Sequence, residues 1–167
     1  MEHDTIEITA HKKAKEATAE HYVNQILKEG WTVTHTPNKY DTYDLNITDG
    51  NTVFYTETKI RDINPYDYID EGALVDVTKI DGLSQRGKSL MVEFFPITNE
   101  AYVWNVADRG QWKVGERTTR KTNYTQKTVK KKVYYLPFTE TSRRHVDMSD
   151  YDTIFSDYYN KFLLELN

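Results

Sequence analysis

The chain has 167 residues, 38% of them apolar and 29% charged, with 13 Tyr, 6 Phe, 3 Trp and a net charge of −4. That is enough apolar material for one folded domain over 1–167, and it excludes a disordered chain. No apolar run nears the ~20 residues that cross a bilayer. The absence of cysteine excludes disulfides, thiol catalysis, thiolate zinc and cysteine-held iron–sulfur clusters.

The first ten residues carry no strong period. From His11 to Glu29 the pattern predicts a helix stopped by Gly30, with Ala19, Tyr22, Val23, Ile26 and Leu27 on one stripe. At 100° per residue, Glu16 lies about 50° from the centre of that stripe and Glu20 about 90°. Glu16 is therefore the acid more nearly aimed at the body of the protein. Residues 31–35 alternate as a strand, residues 36–39 form a loop, and Asp44 to Thr48 reads as a second strand. Asp49-Gly50-Asn51 has hairpin-turn chemistry and leads into a third strand, Thr52 to Ile60. Its period of two puts Val53, Tyr55, Glu57 and Lys59 on one face.

Residues 62–72, rich in Asp and Tyr, are irregular, and a helix is predicted over 72–83. Ser89 to Phe95 and Ala101 to Val106 pair as strands. Between Arg109 and Arg144 stand 11 Lys and Arg against two acids, a local charge of +9 that leaves −13 on the rest of the chain. Such segregation suits a polyanion on one face. Within this stretch Lys132 to Leu136 predicts a strand. Tyr151 to Leu166 closes the chain as a helix, with Ile154, Phe155, Tyr158, Phe162 and Leu163 on one side behind a Ser149/Asp150 cap. The order is that of one mixed α/β domain. The N-terminus lacks the basic-then-apolar pattern of a secretory signal, so the expected location is the cytoplasm, with no membrane partner.

The Asp-Gly turn makes the second and third strands antiparallel neighbours, so Asp44 and Glu57 meet at the same end of the hairpin. Two converging carboxylates form a hard-oxygen site suited to Mg²⁺ or Mn²⁺. Lys59 points the same way as Glu57, where an ammonium can orient or deprotonate a water or offset charge on a phosphate. Asp76 and Lys79 read as an ion pair on the second helix, and Asp41 as a loop acid near Asp44. The five histidines show no metal-ligand spacing. Arg117, Arg120, Lys121, Lys127, Lys130, Lys131 and Lys132 are the candidate grips on a DNA backbone.

Glu16 or Glu20 in the first helix, Gly30-Trp31, Tyr43-Asp44-Leu45-Asn46-Ile47 and Phe54-Tyr55-Thr56-Glu57-Thr58-Lys59 together resemble the PD-(D/E)XK nuclease superfamily. That superfamily includes restriction enzymes and Holliday junction resolvases. The runs at 74–80, 90–95 and 102–106 look like its small phage or mobile-element members, and the likeness covers about residues 14–106. Tyr43 stands where the family name has proline. The resemblance implies a restriction-endonuclease-like core over about 11–106, with a central mixed β-sheet flanked by helices in α-β-β-β-α-β order. A basic β-hairpin extension over about 107–145 and a C-terminal helix over about 150–166 would follow. Asp44, Glu57 and the Thr58 carbonyl would ligate Mg²⁺ or Mn²⁺, Lys59 would position or activate water, and Glu16 would support a metal or its water. In the phage set Lys79 faces the site. The implied reaction is hydrolysis of DNA phosphodiesters in recombination, junction resolution or phage DNA processing, by a homodimer for which the apolar C-terminal helix is the candidate interface. The rival expectation is a catalytically inactive nuclease fold that binds nucleic acid or serves in a virion or its assembly.

Overall fold

The computed structural model describes residues 5–36, 44–68, 71–120 and 128–167, with the side chains of His35, Thr36, Asp44, Thr119 and Arg120 outside the description. The chain runs α1 (Ile6–Ile26), β1 (Thr32–Thr36), β2 (Asp44–Thr48), β3 (Val53–Ile60), β4 (Ala73–Asp76), α2 (Val77–Arg86), β5 (Ser89–Phe95), β6 (Glu100–Asn105), β7 (Lys113–Arg120), β8 (Thr128–Leu136), β9 (Arg143–His145) and α3 (Tyr151–Leu166). It is an α/β architecture. A six-stranded sheet has the order β1-β2-β3-β5-β6-β9, and a three-stranded sheet has the order β4-β8-β7. All neighbours are antiparallel except β3 and β5, which run parallel because α2 carries the chain back between them. Among the described residues no helix is long and apolar enough to cross a membrane.

The pleat assigns the two faces of the large sheet. On one face Leu45, Ile47, Ile60, Val92, Phe94 and Ala101 pack under Ala19, Tyr22 and Val23 of α1. On the other, Met91, Phe95, Tyr102 and Trp104 pack against Ile80 and Leu83 of α2 and against Val75 and Leu136 of the small sheet. The large sheet is thus covered on both sides, which is why β5 is apolar on both faces.

Several boundaries differ from the sequence expectation. α1 starts five residues earlier, where the Thr5 hydroxyl accepts the Ile8 N–H at 3.2 Å. It stops at Ile26, three residues before Glu29, because Leu27 turns extended. Gly30 (φ +85°) shapes the turn that follows. The helix predicted over 72–83 is strand β4 followed by α2, since Ala73–Asp76 finds a partner in β8. The basic segment does contain a β7–β8 hairpin, but β8 also pairs with β4, and β9 leaves the hairpin to edge the large sheet beside β6. Part of the apolar stripe of α3 packs within the chain, where Phe162 meets Ala10 and Ala14 of α1. Asp150 does not cap α3 with its side chain; its Oδ1 accepts the hydroxyl of the fully buried Tyr22 at 2.7 Å. Tyr22→Phe is expected to cost about 1 kcal/mol, read as a melting temperature lower by roughly 2–4 °C.

Candidate functional site

β3 is the central element of the site. Tyr55 N–H donates to the Lys88 carbonyl and Arg61 N–H to the Phe94 carbonyl, so odd-numbered residues of β3 aim their main-chain groups at β5. Even-numbered residues aim theirs at the opposite edge, toward β2. The β2–β3 pairing runs to Leu45↔Thr56, and one further step of the same register sets Asp44 opposite Glu57. β3 continues to Ile60. Among the described residues, therefore, no strand meets the Thr58 carbonyl on that side.

Glu57 and Lys59 lie on the face covered by α2, in register with Met91 and Glu93 of β5. Glu16 comes from α1, on the opposite face. The two line one cleft of about 440 Å³. α1 contributes Glu16 and Glu20 to its lining, β3 contributes Thr56, Glu57 and Thr58, and α3 contributes Tyr158, Lys161 and Glu165. Burial, and then the charge of Glu57, hold the Glu16 carboxyl above the ordinary carboxylate range. A raised acid pKa means that the folded state holds its proton more tightly than the unfolded chain, so Glu16 weakens the fold as pH rises past the ordinary carboxylate range. Glu16→Gln is accordingly expected to raise the melting temperature of the metal-free protein at pH 7 and to leave it unchanged at pH 4. A scan at the two pH values checks this.

Lys79 of α2 lies 2.8 Å from Glu57 Oε1. The expected Asp76–Lys79 pair does not form, because Asp76 sits at the β4–α2 junction and meets Lys131 of β8 at 3.6 Å instead. Burial, with Lys79 and Arg61 nearby, pushes the Lys59 ammonium below the usual lysine range. On the same face the wholly buried Glu93 takes Arg61 Nε on Oε1 at 2.6 Å. Burial raises the Glu93 carboxyl although Arg61 opposes this.

These groups are a fair match for a small divalent cation. They offer a carboxylate, a main-chain carbonyl with no strand partner among the described residues and a second acid at the facing register position, which is the hard-oxygen chemistry such ions take. The Glu16–Glu57 repulsion is a charge imbalance that a cation in the cleft relieves. Among the described residues no three His, Asp or Glu side chains cluster closely enough to ligate an ion unaided. Of the basic candidates, Lys130 and Lys132 are exposed on β8, Lys131 is tied to Asp76, and Arg117 is exposed on β7. Lys121, Lys127 and Asp41 lie outside the described residues, as do the Arg120 and Asp44 side chains. Sequence reasoning missed Lys161 and Glu165 in the cleft and Arg61–Glu93 beside it. The signal for the first was present, since Lys161 and Glu165 follow Tyr158 at i+3 and i+7 on one side of α3. No protein-family model, curated protein or solved structure matches the chain.

Proposed function

We propose that the chain is a metal-dependent DNA nuclease with a restriction-endonuclease-like core, hydrolysing phosphodiester bonds in recombination or phage DNA processing. The observation that carries this reading is the convergence of Glu57, the Thr58 carbonyl and the Asp44 register position at one end of the β2–β3 hairpin, with Lys59 beside Glu57 on the same face. The order α1-β1-β2-β3-α2-β5, an antiparallel hairpin followed by a parallel crossover, supports the core assignment.

Asp44, Glu57 and Thr58 would hold Mg²⁺ or Mn²⁺, which when bound polarises the phosphate and acidifies a water. Lys59, its pKa lowered by burial, accepts or orients the proton of the attacking water. Glu16, half-buried across the cleft, fixes that water by hydrogen bonding. Lys79 balances the Glu57 charge before DNA arrives, and released from that carboxylate its ammonium would be free to meet a phosphate oxygen.

Lys130 and Lys132 project from β8 toward solvent and would hold the DNA backbone. Replacing both by Ala is expected to reduce the slope of log affinity against log salt by about 2. Lys131→Ala should change it less, because Asp76 already compensates that charge. Fluorescence anisotropy across a salt series measures both.

Supercoiled, linear, branched and single-stranded DNA incubated with Mg²⁺ or Mn²⁺ tests the proposal. Cutting that Glu57→Gln abolishes supports it. The Lys79–Glu57 ion pair, which neutralises one of the acids, favours a second reading, a non-catalytic nucleic-acid-binding or assembly protein. DNA binding without cutting under any of these conditions replaces the first reading by the second.

A further inference from the structure

We propose that the cleft between the two sheets, next to Lys59, is a pocket for a single nucleobase carrying an exocyclic amino group. The inference rests on the nuclease reading for the place of the phosphodiester and adds what lies beside it.

The cleft holds about 230 Å³, less than the roughly 300–1,000 Å³ of sites for drug-sized ligands and suited to one ring system. Its wall and mouth are unusually apolar for a surface. Ile63, Tyr68 and Leu74 line it while being 40%, 45% and 36% exposed, and Phe138 stands behind them. Exposed apolar side chains gathered at a cleft mark a binding surface, and aromatic rings there give a base a face to stack on. The cleft is also polar in the way a nucleotide requires. Glu93 belongs to its lining with one carboxylate oxygen on Arg61, while Oε2, although buried, has no hydrogen-bond partner among the described residues. An amino N–H is the donor that oxygen lacks. Arg61, a third exposed, covers the carboxylate, and its second contact, Nη2 to the Leu74 carbonyl, is a long 3.5 Å that yields readily. Arg61 and Arg117 are both in the lining and supply cations for the phosphate attached to such a base.

Adenine, cytosine and guanine each present an amino group to a carboxylate. Thymine flanks its only ring N–H with two carbonyl oxygens, which a carboxylate repels. Glu93 is the register partner of Lys59, so a base seated here places its own phosphate near the proposed site of hydrolysis. A nuclease with such a pocket selects unpaired or displaced nucleotides.

NMR titration of the wild-type protein with dAMP, dCMP, dGMP, TMP and deoxyribose 5-phosphate tests the inference. The expected result is amide shifts at Ile63, Tyr68 and Leu74 with the three amino-bearing nucleotides and weaker binding of TMP. Deoxyribose 5-phosphate should perturb only the surroundings of Arg117. Tyr68→Ala should weaken nucleotide binding about tenfold, one stacking contact's worth, and Arg117→Ala should weaken nucleotide and sugar phosphate alike. Equal binding of all five probes means an anion site on the arginines, and no response in the cleft means a structural water on Glu93; either overturns the pocket. The nuclease reading fails separately. Nucleotide binding without metal-dependent cutting removes the nuclease and keeps the pocket, whereas cutting without cleft binding removes the pocket alone.

Discussion

Lys59→Met is expected to slow DNA cleavage by about 10²–10³-fold, the usual loss when a group aimed at developing charge is removed, while DNA affinity stays nearly unchanged. Three features of its setting lead to that expectation. Lys59 is two residues from Glu57 on the same face of β3, so its side chain stands beside that carboxylate's. Burial holds its ammonium below the ordinary lysine range, and Lys79 and Arg61 push in the same direction. The lysines proposed to hold DNA, by contrast, sit on β8 in another sheet, so on that proposal binding and chemistry draw on different residues. Lys59→Arg should rescue only in part, since the larger planar guanidinium does not place its charge where the compact ammonium does. Rates at saturating DNA, with anisotropy for affinity, separate the two effects. Equal loss of binding and rate in Lys59→Met would make Lys59 another backbone contact.

The second large effect is on stability. Arg61→Met is expected to cost about 3 kcal/mol, because it strands a buried carboxylate, and to lower the melting temperature by roughly 6–12 °C in a chain of this length. Glu93 is fully buried and Arg61 is its only direct ion-pair partner among the described residues. Burial already raises the Glu93 carboxyl, and Arg61 is the largest influence opposing that rise. Without Arg61 the carboxyl rises further, so the folded state favours the protonated form. The penalty is then small in acid and grows as pH climbs above the ordinary carboxylate range. Urea midpoints at pH 5 and pH 8 should therefore diverge in Arg61→Met, and adding Glu93→Gln should recover most of the loss at pH 8. A loss independent of pH would assign the effect to the packed stem of Arg61 instead.

What the sequence disclosed tracks how local each determinant is. The β2–β3 hairpin was legible because Asp49 and Gly50 dictate the turn and the flanking residues alternate. Asp49 Oδ1 accepts the N–H groups of Asn51 and Thr52, as that chemistry requires. The parity that groups Glu57 with Lys59 follows from the pleat alone. The start of α1 was not legible, since its buried positions there are Ala10 and Ala14 while Ile6 and Ile8 face solvent, so size rather than hydropathy marks the inner face. β4 and β9 are four and three residues long and exist because β8 and β6 accept them. Their cause lies far along the chain. The same holds for Lys79 on Glu57, Tyr22 on Asp150 and Arg61 on Glu93, each of which depends on elements meeting across the core. The candidate acids and Lys59 could therefore be named from spacing, but the partners that set their charges could not.

A nuclease of this kind must hold one divalent cation at the end of the β2–β3 hairpin. Anomalous diffraction from crystals of the wild-type protein grown with Mn²⁺ measures this directly. A single strong peak is expected within coordination distance of the Glu57 and Asp44 carboxylates and the Thr58 carbonyl, with Lys79 drawn off Glu57. Crystals saturated with Mn²⁺ that keep the Lys79–Glu57 pair intact and place no peak there would contradict the nuclease reading.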